Sequence, residues 1–380
     1  TDSGKPTLLV VDGHSLAYRA FFALPVDNFS TKDGQHTNGI YGFLSMFVNL
    51  VKAEQPTHLA VAFDVSRQTF RSNLYSEYKA NRSKSPQEFT GQVALIKEVL
   101  DALNVTHVEL DGFEADDIIG TLATQAAAEG YDVRVVTGDR DALQLVRPNL
   151  RVLLTKKGIS ELKDYDTAAF EEEYGFEPLK LIDLKGLMGD TSDNIPGIPG
   201  VGPKTASKLL LTYGSVENVL AHVEEVSGKK LKENLQTYAD QARLSKELAT
   251  IELHVPEIEF VEADYRIQPD MEKMQAFCDA HELRAVVGDI GGAGSGSRHQ
   301  CWPIRMRFRP YTRSSSSIAP AVMKMTSADT DAIIGSIDSV AYMYMRTGSV
   351  TVCGDVTKID IVSSSKLLMN ASTHPPATPG

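Results

Sequence analysis

Three apolar runs, each leading into an aspartate, constrain this chain more than any other feature. Residues 7–11 stop at Asp12, residues 58–63 stop at Asp64, and residues 132–136 lead through Thr137 and Gly138 to Asp139. Short runs rich in Val, Leu and Ala with little polar alternation read as strands buried on both faces. Residues 106–110 read as a fourth strand. Helical spacing fills the intervals. One helix runs through Tyr18, Arg19 and Phe22 with Ser15 as its expected cap, a second follows Asn38-Gly39, and others cover 93–103 and 113–129. Strands alternating with helices predict an α/β fold, a mostly parallel central sheet with helices on both faces. Ligands of such sheets bind beyond the carboxyl ends of the strands. Asp12, Asp64 and Asp139 are therefore expected at one edge, with Glu114, Asp116 and Asp117 opening a helix beside them. From about residue 166 onward the periodicity is helical. Helices are expected at 168–174, 178–188, 205–211, 216–222, 229–235, 238–247 and 271–280, with a small strand at 285–287.

The helical half holds a second informative stretch, 189–206. Asp190 and Asp193 stand three residues apart, so both can point the same way. Gly197, Gly200 and Gly202 follow in a tight turn, where glycine permits backbone shapes closed to other residues and a close approach of a ligand. Pro203 suits a first helical position. The exposed amides of that helix start, with Lys204 and Lys208, suit a phosphate backbone. The segment 200–205 looks superficially like a phosphate-binding loop of nucleotide hydrolases, but its spacing is too short.

Nine acids thus stand out: Asp12, Asp64, Glu114, Asp116, Asp117, Asp139, Asp141, Asp190 and Asp193. Any one alone passes for a helix cap, a turn residue or a solvated charge. Together at one edge they would repel each other unless a cation neutralises them. Oxygen donors without His or Cys suit Mg²⁺ or Mn²⁺. Two such ions about 4 Å apart can activate a water and stabilise the leaving oxygen of a phosphodiester. The nine histidines form no evident ligand set, and no Ser-His-Asp arrangement competes.

The interval after Asp64 supplies a grip. Arg67, Arg71, Lys79, Arg82 and Lys84 interleave with Phe70, Tyr75 and Tyr78, the mixture of phosphate contact and base stacking that holds a single strand. Lys229, Lys230 and Lys232 form a weaker basic cluster. The net charge of −12 argues against a general polyanion surface but not against local patches. Three cysteines without metal-type spacing predict a reducing compartment, and no apolar run reaches membrane-spanning length. A soluble cytoplasmic protein without membrane contact is the expectation.

The motifs Val11-Asp12-Gly13, Ala62-Phe63-Asp64, Phe70-Arg71 with Tyr78-Lys79 and Arg82, Glu114-Ala115-Asp116-Asp117, Thr137-Gly138-Asp139-Arg140-Asp141 and Gly189-Asp190-Thr191-Ser192-Asp193-Asn194-Ile195-Pro196-Gly197 stand in one order. In order and spacing they resemble the bacterial 5′ nucleases, most closely the N-terminal 5′→3′ exonuclease domain of DNA polymerase I, a flap-endonuclease relative. The resemblance covers about 6–290. It implies a PIN-like α/β core, two or more Mg²⁺ or Mn²⁺ ions, and cleavage of DNA or RNA phosphodiesters to 5′-phosphate and 3′-hydroxyl ends. The implied substrates are branched DNA with 5′ flaps, nicked or gapped duplex, and RNA primers, in replication and repair. Asp12, Asp64, Glu114, Asp116 and Asp139 would form or support a first metal site, and Asp117, Asp141, Asp190 and Asp193 a second. Lys79 and Arg82, with Asp139, would act at the scissile phosphate under a helical arch over about 65–92. Arg71 would join them, and Tyr78 would stack on a base. The segment 189–211, with Gly197, Gly200, Gly202, Lys204 and Lys208, resembles the family's helix-three-turn-helix, which holds duplex and often K⁺.

Three regions follow: a nuclease core at 1–180, a helical DNA-binding subdomain at 181–290, and a tail at 291–380. The tail contains no Glu, fourteen Ser, six of the ten Met, and nine basic against five acidic residues. It follows a Gly/Ser linker, reads as an unrelated appendage or a misread frame, and is expected to be disordered and dispensable. No proofreading or polymerase motif is recognisable, so no polymerisation is expected, and a monomer is. The competing readings are a non-catalytic flap- or junction-binding protein and a phosphatase-like or ribonuclease enzyme with a similar acidic edge. The glycine turn built for a long duplex disfavours a small substrate.

Overall fold

The computed structural model describes residues 4–26, 29–31, 34–82, 85–156, 161–268, 270–281, 340–346 and 349–355. The chain divides into two units, 1–294 and 295–380.

In the first unit β1 (Thr7–Asp12) is central. It pairs in parallel with β2 (His58–Ala62) on one side and with β4 (Asp132–Thr137) on the other. β3 (His107–Val108) lies outside β2, two residues long where five are expected. Two strands go beyond the four expected. β5 (Leu150–Thr155) adds in parallel to β4, and β6 (Leu162–Tyr165) closes the edge antiparallel. The order is β3-β2-β1-β4-β5-β6. β5 carries the same kind of apolar run as its neighbours. β6 is half polar, with Lys163 and Asp164, and an edge strand needs no apolar signature.

Side chains alternate across the sheet. Leu8 and Val10 enter one core, and Leu9 and Val11 the other. α1 (Gly13–Ala23), α2 (Asn38–Glu54) and α4 (Gln87–Ala102) cover the Leu9 face, and α5 (Ala115–Ala128) covers the Leu8 face with Ile118, Ile119 and Leu122. Each fully buried Leu or Ile is worth about 1.5–3 kcal/mol by transfer alone. Between α2 and α4 lies α3 (Phe70–Leu74). The expected arch over 65–92 takes the form, among the described residues, of this five-residue helix, a series of turns, and the start of α4.

The cap of α1 is Asp12 rather than the expected Ser15. The strand runs straight into the helix, so the last extended residue is the one whose carboxylate can reach back, and Asp12 accepts from the Ser15 amide at 2.9 Å. The Ser15 hydroxyl instead accepts from the Gly138 amide at 3.0 Å, tying the end of β4 to α1.

Among the described residues after β6 the regular elements are helices, as expected: α6 (Thr167–Tyr174), α7 (Leu181–Met188), α8 (Pro203–Tyr213), α9 (Val216–Ala221), α10 (Lys229–Thr237), α11 (Ala239–Ala249) and α13 (Met271–Ala280), to which the short α12 (Glu262–Tyr265) is added. The turn between α7 and α8 depends on two glycines. Gly189 and Gly197 have φ of 72° and 60°, and a Cβ on Gly197 would lie 2.1 Å from the Gly189 nitrogen. That contact lets the chain fold back through paired amides of Asp190 and Ile195, at 2.9 and 2.8 Å, and presents Asp190 and Asp193 at the loop.

Within 291–380 the described residues form one antiparallel hairpin of β7 (Val340–Arg346) and β8 (Ser349–Asp355). The rest of the tail, and the strand expected at 285–287, lie outside the described residues. Among the described residues no helix is long and apolar enough to cross a membrane.

Candidate active site

The parallel strands bring their aspartates to one edge because their registers are level. Asp12 pairs with Ala62 and Val11 with Val136, so Asp64 and Asp139 emerge just past the ends of β2 and β4. Asp12, Asp64 and Asp139 are each fixed by hydrogen bonds. Asp12 accepts from Ser15 N and, at 2.7 Å, from the Thr137 hydroxyl. Asp64 accepts from the Ala115 amide at 2.9 Å, which locks β2 to the start of α5. Asp139 accepts from the Asp141 amide at 2.9 Å. Glu114 caps α5 in a reciprocal box with Asp117.

Electrostatics show that these groups converge. Burial, then the charge of Asp64, pushes the Asp12 carboxyl up to about 7. Burial, then Asp139 and Asp12, holds the Asp116 carboxyl well above the usual range. Asp116 Oδ1 is also buried with no hydrogen-bond partner. A desolvated, unpartnered carboxylate oxygen facing other carboxylates is the environment a cation relieves. The donor set of Asp12, Asp64, Asp116 and Asp139 is all oxygen and fits a hard divalent ion. Among the described residues no three such groups close to the spacing of a formed metal site.

Lys79 donates to Glu114 Oε2 at 2.6 Å and lies 3.7 Å from Asp193 Oδ2. Arg82 pairs with Asp193 Oδ1, and its side chain remains 45% exposed. On the other side Lys185 bridges Asp141 and, at 2.5 Å, Asp190. Burial opposes the Lys185 charge, but the two carboxylates outweigh it and raise its pKa. Burial likewise opposes ionisation of Asp190, yet hydrogen bonds from Lys185 and Ser192 hold it down to about 2. Lys185 is a site residue that the sequence analysis does not include. Its one signal is a lysine on a helix that is apolar apart from Asp183, five residues before Asp190.

Four expected roles are corrected by burial. Asp117 is fully buried, and both oxygens are taken by Arg71, each at 2.7 Å, so it has no free face for a metal. Arg71, 3% exposed, is thereby withdrawn from any DNA. Tyr78 is 8% exposed and packs beside Ile195, Leu248 and Ala249, with its hydroxyl 3.3 Å from Glu114 and 3.5 Å from Asp193; its ring cannot stack on a base. Gly197 is buried against Gly189, so it builds the turn rather than touching a ligand.

Gly200, Gly202, Lys204 and Lys208 are exposed, as a grip requires. Pro203 is the first residue of α8, and Pro203, Lys204, Ser207, Lys208, Leu211 and Thr212 line an open groove of about 490 Å³. Four carbonyls of the turn are occupied: Gly197 O accepts from Gln241, Ile198 O from the Val201 amide, Pro199 O from Asn234 and Gly202 O from the Ala206 amide.

The sheet edge that gathers carboxylates is flanked by Lys79 and Arg82 and joined to a helical module with a glycine turn. Residues 7–175 match the 5′-3′ exonuclease N-terminal resolvase-like domain, and residues 176–273 match the 5′-3′ exonuclease C-terminal SAM fold. The chain belongs to the 5′-3′ exonuclease family. Over 286 residues it is 50% identical to DNA polymerase I of Mycobacterium leprae, a match covering 75% of this chain and 31% of that protein. The chain thus spans about a third of that relative's length. Its fold is similar to bacteriophage T5 5′-exonuclease with bound zinc (TM-score 0.56, 21% identity, 74% of this chain and 99% of that one). It is equally similar to the T5 flap endonuclease in a pseudo-enzyme-product complex with DNA and metal ions (TM-score 0.56, 20% identity, 75% and 97%).

Proposed function

We propose that this chain is a structure-specific 5′ nuclease that cuts at the junction of a 5′ single-stranded flap and a duplex. The observation that carries the reading is the buried, unpartnered Oδ1 of half-buried Asp116 among Asp12, Asp64 and Asp139, with Lys79 and Arg82 beside this group. Asp12, Asp64, Asp116 and Asp139 would hold one Mg²⁺ or Mn²⁺ ion, and Asp141, Asp190 and Asp193 a second. When bound, the ions supply a water of lowered pKa and stabilise charge on the departing 3′ oxygen. Glu114 orients Lys79 by their 2.6 Å ion pair. Lys79 and Arg82 neutralise charge developing on the phosphoryl oxygens. Lys185 holds the Asp141 and Asp190 carboxylates together against their mutual repulsion.

Duplex backbone would lie along the α8 groove, gripped by Lys204, Lys208 and the amides at the helix start. Contacts of this kind position without reading sequence, so selection is by shape. K⁺ would bind the glycine turn through carbonyls that these side-chain and backbone donors leave open. RNA primers and nicked or gapped duplexes are further substrates of the same grip. The enzyme would act as a monomer in the bacterial cytoplasm. The test is cleavage of a duplex bearing a labelled 5′ flap, with Mg²⁺, with Mn²⁺ and with chelator. Metal-dependent cuts at or near the junction support the reading. Binding without cleavage in either metal overturns it in favour of a non-catalytic junction binder.

A further inference from the structure

We propose that Arg71 and Asp117 form a positioning clamp for the nuclease reaction, and that Asp117 binds no metal. The inference rests on the nuclease reading above and assigns both residues a role that their motifs alone do not suggest. The guanidinium meets the carboxylate in a two-pronged pair, Nη1 to Oδ2 and Nη2 to Oδ1, each at 2.7 Å. Asp117 Oδ1 also accepts from the Glu252 amide at 2.9 Å, and Oδ2 from the Glu114 amide at 3.1 Å. Each oxygen therefore has two donors, which fills the lone-pair directions a metal would need. Arg71 spends its other donors on main-chain carbonyls, Nε on Leu248 at 3.0 Å and Nη2 on Thr250 at 2.6 Å.

Those partners come from three parts of the chain. Arg71 lies on α3, just before the segment that carries Lys79 and Arg82. Asp117 and Glu114 open α5, which carries Asp116. Leu248 and Thr250 lie at the end of α11, the helix whose Ser245 hydroxyl accepts from the Gly197 amide at 3.0 Å. One buried ion pair thus fastens the phosphate-facing segment, the acid-bearing helix and the helical module that builds the glycine turn. Arg71 Nη1 also stands 4.0 Å from Glu114 Oε2, the oxygen that holds Lys79. Loss of the clamp frees Lys79 and Glu114 to shift relative to Asp116, and misplacement by about 1 Å costs on the order of a hundredfold in rate.

The experiment compares the full chain with Arg71→Lys and Asp117→Asn. It measures kcat and KM on a 5′-flap duplex, the number and affinity of bound Mn²⁺ by electron paramagnetic resonance, and the thermal melt. Lysine keeps the charge but loses the fork that reaches carboxylate and carbonyls together. The clamp predicts that each variant loses about ten- to a hundredfold in kcat with little change in KM. It also predicts that the Mn²⁺ number and affinity stay at the parent values. Loss of a Mn²⁺ equivalent in Asp117→Asn, but not in Arg71→Lys, makes Asp117 a ligand and overturns the proposal. Parent kcat with a raised KM in Arg71→Lys makes Arg71 a DNA contact and overturns it equally. Parent values in both variants leave no clamp. Should Asp117→Asn show no cooperative melt, Arg71→Lys decides alone. A parent chain that cuts nothing sinks the nuclease reading, while the Mn²⁺ count still decides whether Asp117 is a ligand.

Discussion

Lys79 reaches 2.6 Å from Glu114 Oε2, and its amide donates to the Asp193 carbonyl at 2.8 Å. One residue thus joins the acid-bearing helix to the acidic loop, with its backbone at φ of 54°. Under the proposed nuclease reading, an ammonium held there would meet charge that develops on a phosphoryl group. Lys79→Ala should lower kcat on a flap duplex by about 10²–10³. Single-turnover kinetics at saturating enzyme check this, because they separate the chemical step from binding.

Asp139 caps its own turn and faces both Asp116 and Asp141. Asp139→Asn keeps the shape and an acceptor but removes the charge. Cleavage should be abolished while flap-duplex affinity, read by gel shift without divalent ions, stays at the parent value. Cleavage at the parent rate would remove Asp139 from the metal site.

The Asp12 carboxyl is pushed from its ordinary 3.8 up to about 7, chiefly by burial. A raised folded-state pKa means that the fold binds the proton more tightly than the unfolded chain does. The associated stability is present below about pH 4 and is lost as pH rises toward 7. This group should therefore make the chelated protein melt at progressively lower temperature across that window. Added Mn²⁺ should bind more tightly as the proton leaves. Thermal melts from pH 5 to 8, with and without Mn²⁺, read both trends.

Lys185 is buried between Asp141 and Asp190. Lys185→Met leaves two carboxylates without their cation, a change that costs roughly 3–5 kcal/mol when a buried partner is removed. The melting temperature of the chelated variant should drop. Mn²⁺ should then raise it by more than it raises the parent's, since the ion supplies the missing charge.

Gly197→Ala should destabilise the turn through overpacking against Gly189, about 1–3 kcal/mol. The left-handed backbone adds about 1–2 kcal/mol. A urea melt measures the sum. Lys204→Ala and Lys208→Ala, by contrast, should leave stability alone. Each should reduce the slope of log affinity against log salt by about 1, evenly across DNA sequences.

The sequence by itself determined the alternation of strands and helices and the acids at the strand ends. It also carried the glycine turn and the family, because these depend on local pattern: apolar runs, caps, and residue types a backbone bend demands. The 150–155 run was equally readable as a strand, whereas β6 was not, since it is four residues long and half of it, Lys163 and Asp164, is polar. Tertiary structure alone decided which charged residues are free to act. Arg71, Tyr78 and Asp117 look like surface chemistry in a basic, aromatic and acidic motif, yet each is buried once α3 packs against α5 and α11. Lys185 looks like one more helical lysine and becomes the counter-charge of Asp141 and Asp190. Burial and ion pairing arise from segments as many as 179 residues apart, as between Arg71 and Thr250. Local spacing carries no term for a contact of that range, so the sequence could name the charges but not pair them.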